Sequence, residues 1–169
     1  MEKELTNFFN ASLNTAIVNL RSDTKAEWGT MSPEEMLNHL IQSSKMMHFG
    51  NSTLLIKEEY IAKAIAFLYS EKEIKKGLVV PNDIGFNFTD NINQDIEELK
   101  EELIESTNTM LTFLTKNKDF KAIHPFFGEL TTVQWLIFQR KHYTHHLSQF
   151  GCYIAPMSFI LFSERYNTI

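Results

Sequence analysis

Thr131-Thr-Val-Gln-Trp-Leu-Ile-Phe-Gln-Arg-Lys-His-Tyr-Thr-His-His-Leu-Ser-Gln-Phe-Gly151 reads as a helix with its start, its period and its stop all visible. Thr131 and Gln134 make a capping box, Leu130 and Trp135 are spaced as its hydrophobic staple, and Gly151 supplies the stop. Turning 100° per residue gathers Trp135, Leu136, Phe138, Tyr143, Leu147 and Phe150 on one arc. Gln134, Arg140, Lys141, Thr144 and Ser148 fall on another arc, which is expected to face water. His142 and His146 lie in the middle of the apolar arc, flanked by Trp135 and Gln149, whereas His145 lands at its margin.

Three further stretches repeat this logic. Leu5, Phe8, Phe9, Leu13, Ala16, Ile17 and Leu20 keep helical spacing over about Glu2 to Leu20. Ser32-Pro33-Glu34-Glu35 combines an N-cap serine, a proline at the first helical position and a capping-box glutamate. That helix is expected to run to about His48, with Gly50 as its stop. Ile92, Ile96, Leu99, Leu103, Met110, Phe113 and Leu114 make a buried stripe over about Asn91 to Lys116. Lys57 to Tyr69 reads as a further helix or as irregular chain, and Lys76 to Phe88 has the Gly, Pro and Asn of a long loop. With no convincing alternating strand, the expected fold is all-α: an antiparallel four-helix bundle in a single domain over residues 1–169.

Bulk composition narrows the function. The chain is 43% hydrophobic and 22% charged, as ordinary globular proteins are, and its 14 Phe point to an aromatic-rich core. A net charge of −5 without a Lys/Arg block argues against nucleic acid. No apolar stretch is long enough to span a bilayer, and no signal peptide is visible, which points to a cytoplasmic protein. Cys152 stands alone, so no internal disulfide is possible, and directly after a helix stop it reads as a small buried residue. Asn10, Asn51 and Asn87 open glycosylation patterns that are chance matches without secretion. The apolar tail after Gly151 is expected either to fold back over the helices or to bury itself against a second copy in a homodimer.

The histidines carry the chemistry. Imidazoles at i and i+4 project from one side of a helix and can share an ion. Burying two neighbouring rings otherwise needs partners for four nitrogens, so ligation is favoured over two satisfied core histidines. His39 sits off the wet face of its helix, between Met36, Ser43 and Met46. A lone histidine there is more often a core residue; it becomes a candidate third ligand only because the other helix already offers two. No Asp or Glu shares these apolar faces, which disfavours a carboxylate-rich di-iron site, and no His-Glu-x-x-His motif marks a zincin. His48 suits a helix end, and His124, in His-Pro-Phe-Phe-Gly128, suits a cap on a shaped turn better than the mouth of a site.

Met36-Leu-Asn-His39-Leu, preceded by Trp28-Gly-Thr-Met-Ser32, and His142-x-x-x-His146-x-x-Gln149 resemble the second- and fourth-helix motifs of the DinB/YfiT-like superfamily. Together with His124-Pro-Phe-Phe-Gly128 the resemblance covers about residues 25–151. It implies a four-helix bundle holding a divalent metal, Zn²⁺ first and Ni²⁺ or Fe²⁺ as alternatives, on His39, His142 and His146. It also implies transfer of a small-molecule thiol to an electrophile, with metal-dependent hydrolysis as an alternative; the residues alone leave open a non-catalytic binding or structural bundle whose histidines are merely core. Gln149 is then placed to orient a ligand ring or a bound group, and Tyr143 and His145 are the nearest spare proton carriers. At 146–149 the chain carries His-Leu-Ser-Gln where many relatives carry His-Arg-Gly-Gln, so the cue which that arginine gives to thiol and substrate is missing.

Overall fold

The structure, a computed structural model, describes residues 2–48, 53–78 and 94–152. In order these form α1 (Glu2–Ile17), α2 (Pro33–Lys45), α3 (Ile61–Leu68), α4 (Ile96–Lys116), β1 (Lys121–His124), β2 (Gly128–Thr131) and α5 (Thr132–Gln149). Short 3-10 turns extend α2 through His48 and precede α3 at Glu58–Tyr60. The apolar tail after Cys152, most of the loop read over 76–88 and the first residues of the stretch from Asn91 lie outside the described residues.

The expected all-α four-helix bundle is corrected on two counts. Among the described residues there are five α-helices, and an antiparallel two-stranded sheet joins α4 to α5, so the fold is mixed α/β. The hairpin pairs Lys121 with Thr131 and His124 with Gly128. Each strand is only four residues long, too short for a period-2 pattern to stand out, and Pro125 and Gly128 made the stretch read as turn alone. α3 settles the alternative left open over 57–69 as a helix of eight residues.

The helix starts obey the capping signals. Ser32 accepts from Glu35 N–H while the Glu35 carboxylate accepts from Ser32 N–H, and Thr131 and Gln134 do the same for α5. Asp95 with Glu98 forms a third capping box, which moves the start of α4 to Ile96. Gly151 closes α5 with φ +66°, a left-handed conformation that costs glycine nothing.

The predicted stripe of α1 is wholly buried, from Leu5 to Ile17, with Leu20 just beyond it. α2 packs on α4 and α1 on α5, while α2 and α3 both reach α5. Lys45 pairs with Glu102 at 2.8 Å across the α2–α4 seam. α5 is therefore covered in part on the arc expected to face water: Gln134, Thr144 and Ser148 stay half-exposed, but Arg140 and Lys141 do not face water freely. Arg140 is 5% exposed, its guanidinium over the Phe8 ring, and Lys141 donates to the Ser70 and Lys72 carbonyls at 2.7 Å each. α1 covers the one, and α3 with its following turn covers the other. Burial lowers the Lys141 pKa to about 8. No helix among the described residues is long and apolar enough to cross a membrane.

Candidate metal centre

α2 and α5 cross so that His39 meets the pair one turn apart on α5. Ring centroids lie 4.8 Å apart for His39 and His142, 4.4 Å for His39 and His146, and 4.7 Å for His142 and His146. The rings stand edge-on to one another, as rings arranged about a common point do. His39 Nε2 is 2.8 Å from His142 Nε2, and one ligand atom from each ring lies within 4.8 Å of the others. Three histidines thus come together as a group able to hold an ion.

Electrostatics make all three neutral near pH 7. Burial, then the neighbouring histidine His145, lowers His39 to about 4. Burial, then His39 and His145, lowers His146 to about 3. His142 lies well below its ordinary range, chiefly through burial and then through the rings around it. A neutral imidazole keeps one lone pair, which is what a metal needs.

The outer nitrogens of His142 and His146 are held by polar groups. His142 Nδ1 is 3.0 Å from Ser43 Oγ, which donates to Gln139 Oε1 at 3.2 Å, and Gln139 Nε2 donates to the Ser43 carbonyl at 2.7 Å. His146 Nδ1 is 3.3 Å from Gln149 Oε1, and Gln149 Nε2 donates to the Trp28 carbonyl at 2.7 Å. Glu27 N–H donates to the Gln149 carbonyl at 2.7 Å, so the 27–28 segment clamps the end of α5. Gly29 belongs to this clamp. Its φ is +78°, and a Cβ there would stand 2.6 Å from Gln149 Nε2.

The donor set fits a borderline ion. Three imidazole nitrogens suit Zn²⁺, Ni²⁺ or Fe²⁺ and suit the oxygen-seeking Ca²⁺ and Mg²⁺ poorly. Among the described residues, burial and neighbouring histidines set the pKa values of the three rings, and no carboxylate is among the causes. Three ligands leave at least one coordination position for chemistry.

The other candidates take different places. Tyr143 is fully buried, with its hydroxyl 2.9 Å from Thr107 Oγ1 and burial raising its pKa, so it is tied into the core. His145 stands beside the cluster, its ring 5.0 Å from His146 and 6.0 Å from Trp28, outside the group of three. His124 accepts from Phe126 N–H at 3.1 Å and caps the hairpin turn. The Phe138 ring packs 4.3 Å from His124 and stacks 5.3 Å from His142. Cys152 is buried and its thiol pKa is raised, which fits a packing residue.

Sequence reasoning missed Ser43, Gln139 and the Trp28-Gly29 clamp. A signal existed for the first two. Ser43 lies one turn after His39, and Gln139 three residues before His142, so each is a small or amide polar residue at helical spacing from one of the clustered histidines.

None of the curated proteins matches the sequence. A family model described as a protein of unknown function, DUF1569, matches residues 9–152, a span that holds the three histidines, Ser43, Gln139 and Gln149. The chain belongs to the DUF1569 family.

Proposed function

We propose that this protein is a metalloenzyme in which His39, His142 and His146 hold one divalent ion, Zn²⁺ in first place, and that it transfers a low-molecular-weight thiol to an electrophile. The observation that carries the reading is the convergence of three neutral imidazoles from two helices on one point. The likeness of the His39 and His142–Gln149 motifs to the DinB/YfiT-like superfamily supports it from the sequence. An ion held this way supplies an open position and a positive charge that lowers the pKa of a thiol or water taken up there.

The chain's own residues favour the thiol over water. A thiol ionises near 8.5 and needs little help, whereas water starts at 15.7 and gains from a carboxylate base. Among the described residues no carboxylate is a cause of the shifts at the three rings, and Tyr143 is held by Thr107. Gln149 is already committed to His146 and to Trp28, which makes it a support for the ligand ring. The site is thus built to bind and orient.

The test is a panel of small thiols and electrophiles incubated with zinc-loaded protein, with loss of free thiol as the readout. Thiol consumption that disappears in His142→Ala supports the reading. Electrophile or ester cleavage without thiol would instead make the protein a hydrolase. No turnover across the panel would leave a metal-binding module.

A further inference from the structure

The two glutamines beside the cluster have only one consistent way to be hydrogen-bonded. Gln139 donates to a main-chain carbonyl, that of Ser43, and a carbonyl only accepts, so its amide orientation is fixed and Oε1 must face Ser43 Oγ. The Ser43 hydroxyl proton is then spent on Oε1, and Ser43 Oγ can only accept from His142 Nδ1. Gln149 repeats the construction in one step. Its Nε2 donates to the Trp28 carbonyl, which turns Oε1 towards His146 Nδ1.

We propose that Gln139, acting through Ser43, and Gln149 are positioning residues that fix His142 and His146 as Nδ1–H tautomers, so that both Nε2 lone pairs face the cluster before any ion arrives. The purpose of this arrangement rests on the metal-site reading; the arrangement itself does not. Neutral histidine in water favours the opposite, Nε2–H form, so the two buried relays reverse the intrinsic preference at both rings. The proton in the 2.8 Å contact between His39 and His142 then belongs to His39 Nε2. His39 is thus the ring whose tautomer changes on ion uptake, when its proton leaves Nε2 and Nδ1 carries one instead. Gln139 and Gln149 are 0% and 4% exposed, so water does not compete for either amide. The acceptors are an amide and a hydroxyl, where a carboxylate would make the ligand ring more basic, so the ion keeps more of its charge for the open position.

The experiment is a long-range proton–nitrogen correlation on metal-free protein carrying ¹⁵N-histidine at pH 7.5, followed by Zn²⁺ titration of the same sample. His142 and His146 are expected to show the Nδ1–H pattern. In Ser43→Ala, His142 is expected to move towards Nε2–H while His146 keeps its pattern, and Zn²⁺ affinity is expected to fall about ten- to a hundredfold. Ser43→Thr, which keeps the hydroxyl, is expected to restore both readouts. The wild-type spectrum alone decides the matter if the alanine variant fails to fold. Nδ1–H rings in a protein that takes up no zinc would uphold the positioning claim and remove the metal reading. An Nε2–H pattern at both rings, in a protein that does bind zinc, would overturn the positioning claim and leave the metal site standing.

Discussion

At the scale of single residues, the histidine run on α5 separates by angle. His142 and His146 face His39, while His145, between them in sequence, turns towards Trp28 and the 73–76 segment. His146→Ala is therefore expected to abolish stoichiometric metal uptake and His145→Ala to leave it nearly intact, as metal analysis of the two purified variants will show. Equal loss in both would mean that α5 is rotated from this arrangement. Gly29 gives a second residue-level prediction. Gly29→Ala puts a Cβ against Gln149 Nε2 in a backbone region that costs an L residue about 1–3 kcal/mol. Lower thermal stability and weaker zinc binding are expected together, and zinc affinity unchanged in a folded variant would detach the clamp from the site. The three clustered histidines were legible in the sequence because helical spacing puts His142 and His146 on one face of α5 and His39 off the wet face of α2. Ser43 and Gln139 were not, since their roles depend on the crossing of α2 over α5, which no local pattern encodes.

At the scale of elements, legibility followed length and caps. α1, α2 and α5 could be read because a capping box or a long apolar stripe marked each, and the 21-residue α4 could be read from its period. The hairpin could not, because four-residue strands carry two alternations at most. The wet face expected on α5 was narrowed at Arg140 and Lys141 for a related reason. Its polar residues are spread around the helix, and whether Arg140 and Lys141 meet water is decided by α1 and α3. Tyr143 tests the division between core and site on the same helix. Thr107 Oγ1 donates to the Leu103 carbonyl at 2.6 Å, so the Tyr143 hydroxyl is the donor to Thr107. Tyr143→Phe is expected to cost about 0.5–1.5 kcal/mol of stability in chemical denaturation and to leave zinc binding unchanged. A loss of metal on removing that hydroxyl would place Tyr143 in the site after all.

At the scale of the whole molecule, burying histidines as neutral rings couples folding to pH. In the unfolded chain they take up protons near 6.5, whereas folded His39 waits until about 4 and His124 and His146 until about 3. Between those values the unfolded state binds more protons, so the stability of metal-free protein is fully present above about 6.5 and falls as pH drops towards about 3. His124, 3% exposed, contributes up to about 1.4 kcal/mol per pH unit in that window. His124→Asn keeps an acceptor for Phe126 N–H, so it is expected to flatten the pH dependence of the urea midpoint, and an unchanged slope would contradict the burial argument. The same neutrality is what readies the cluster for an ion, and the most direct measurement of the central claim is metal stoichiometry at neutral pH. Wild-type protein dialysed against Zn²⁺ and freed of excess is predicted to retain one ion per chain, with none retained by His39→Ala or His142→Ala. A wild-type chain that retains no ion, or alanine variants that retain as much as wild type, would contradict the account.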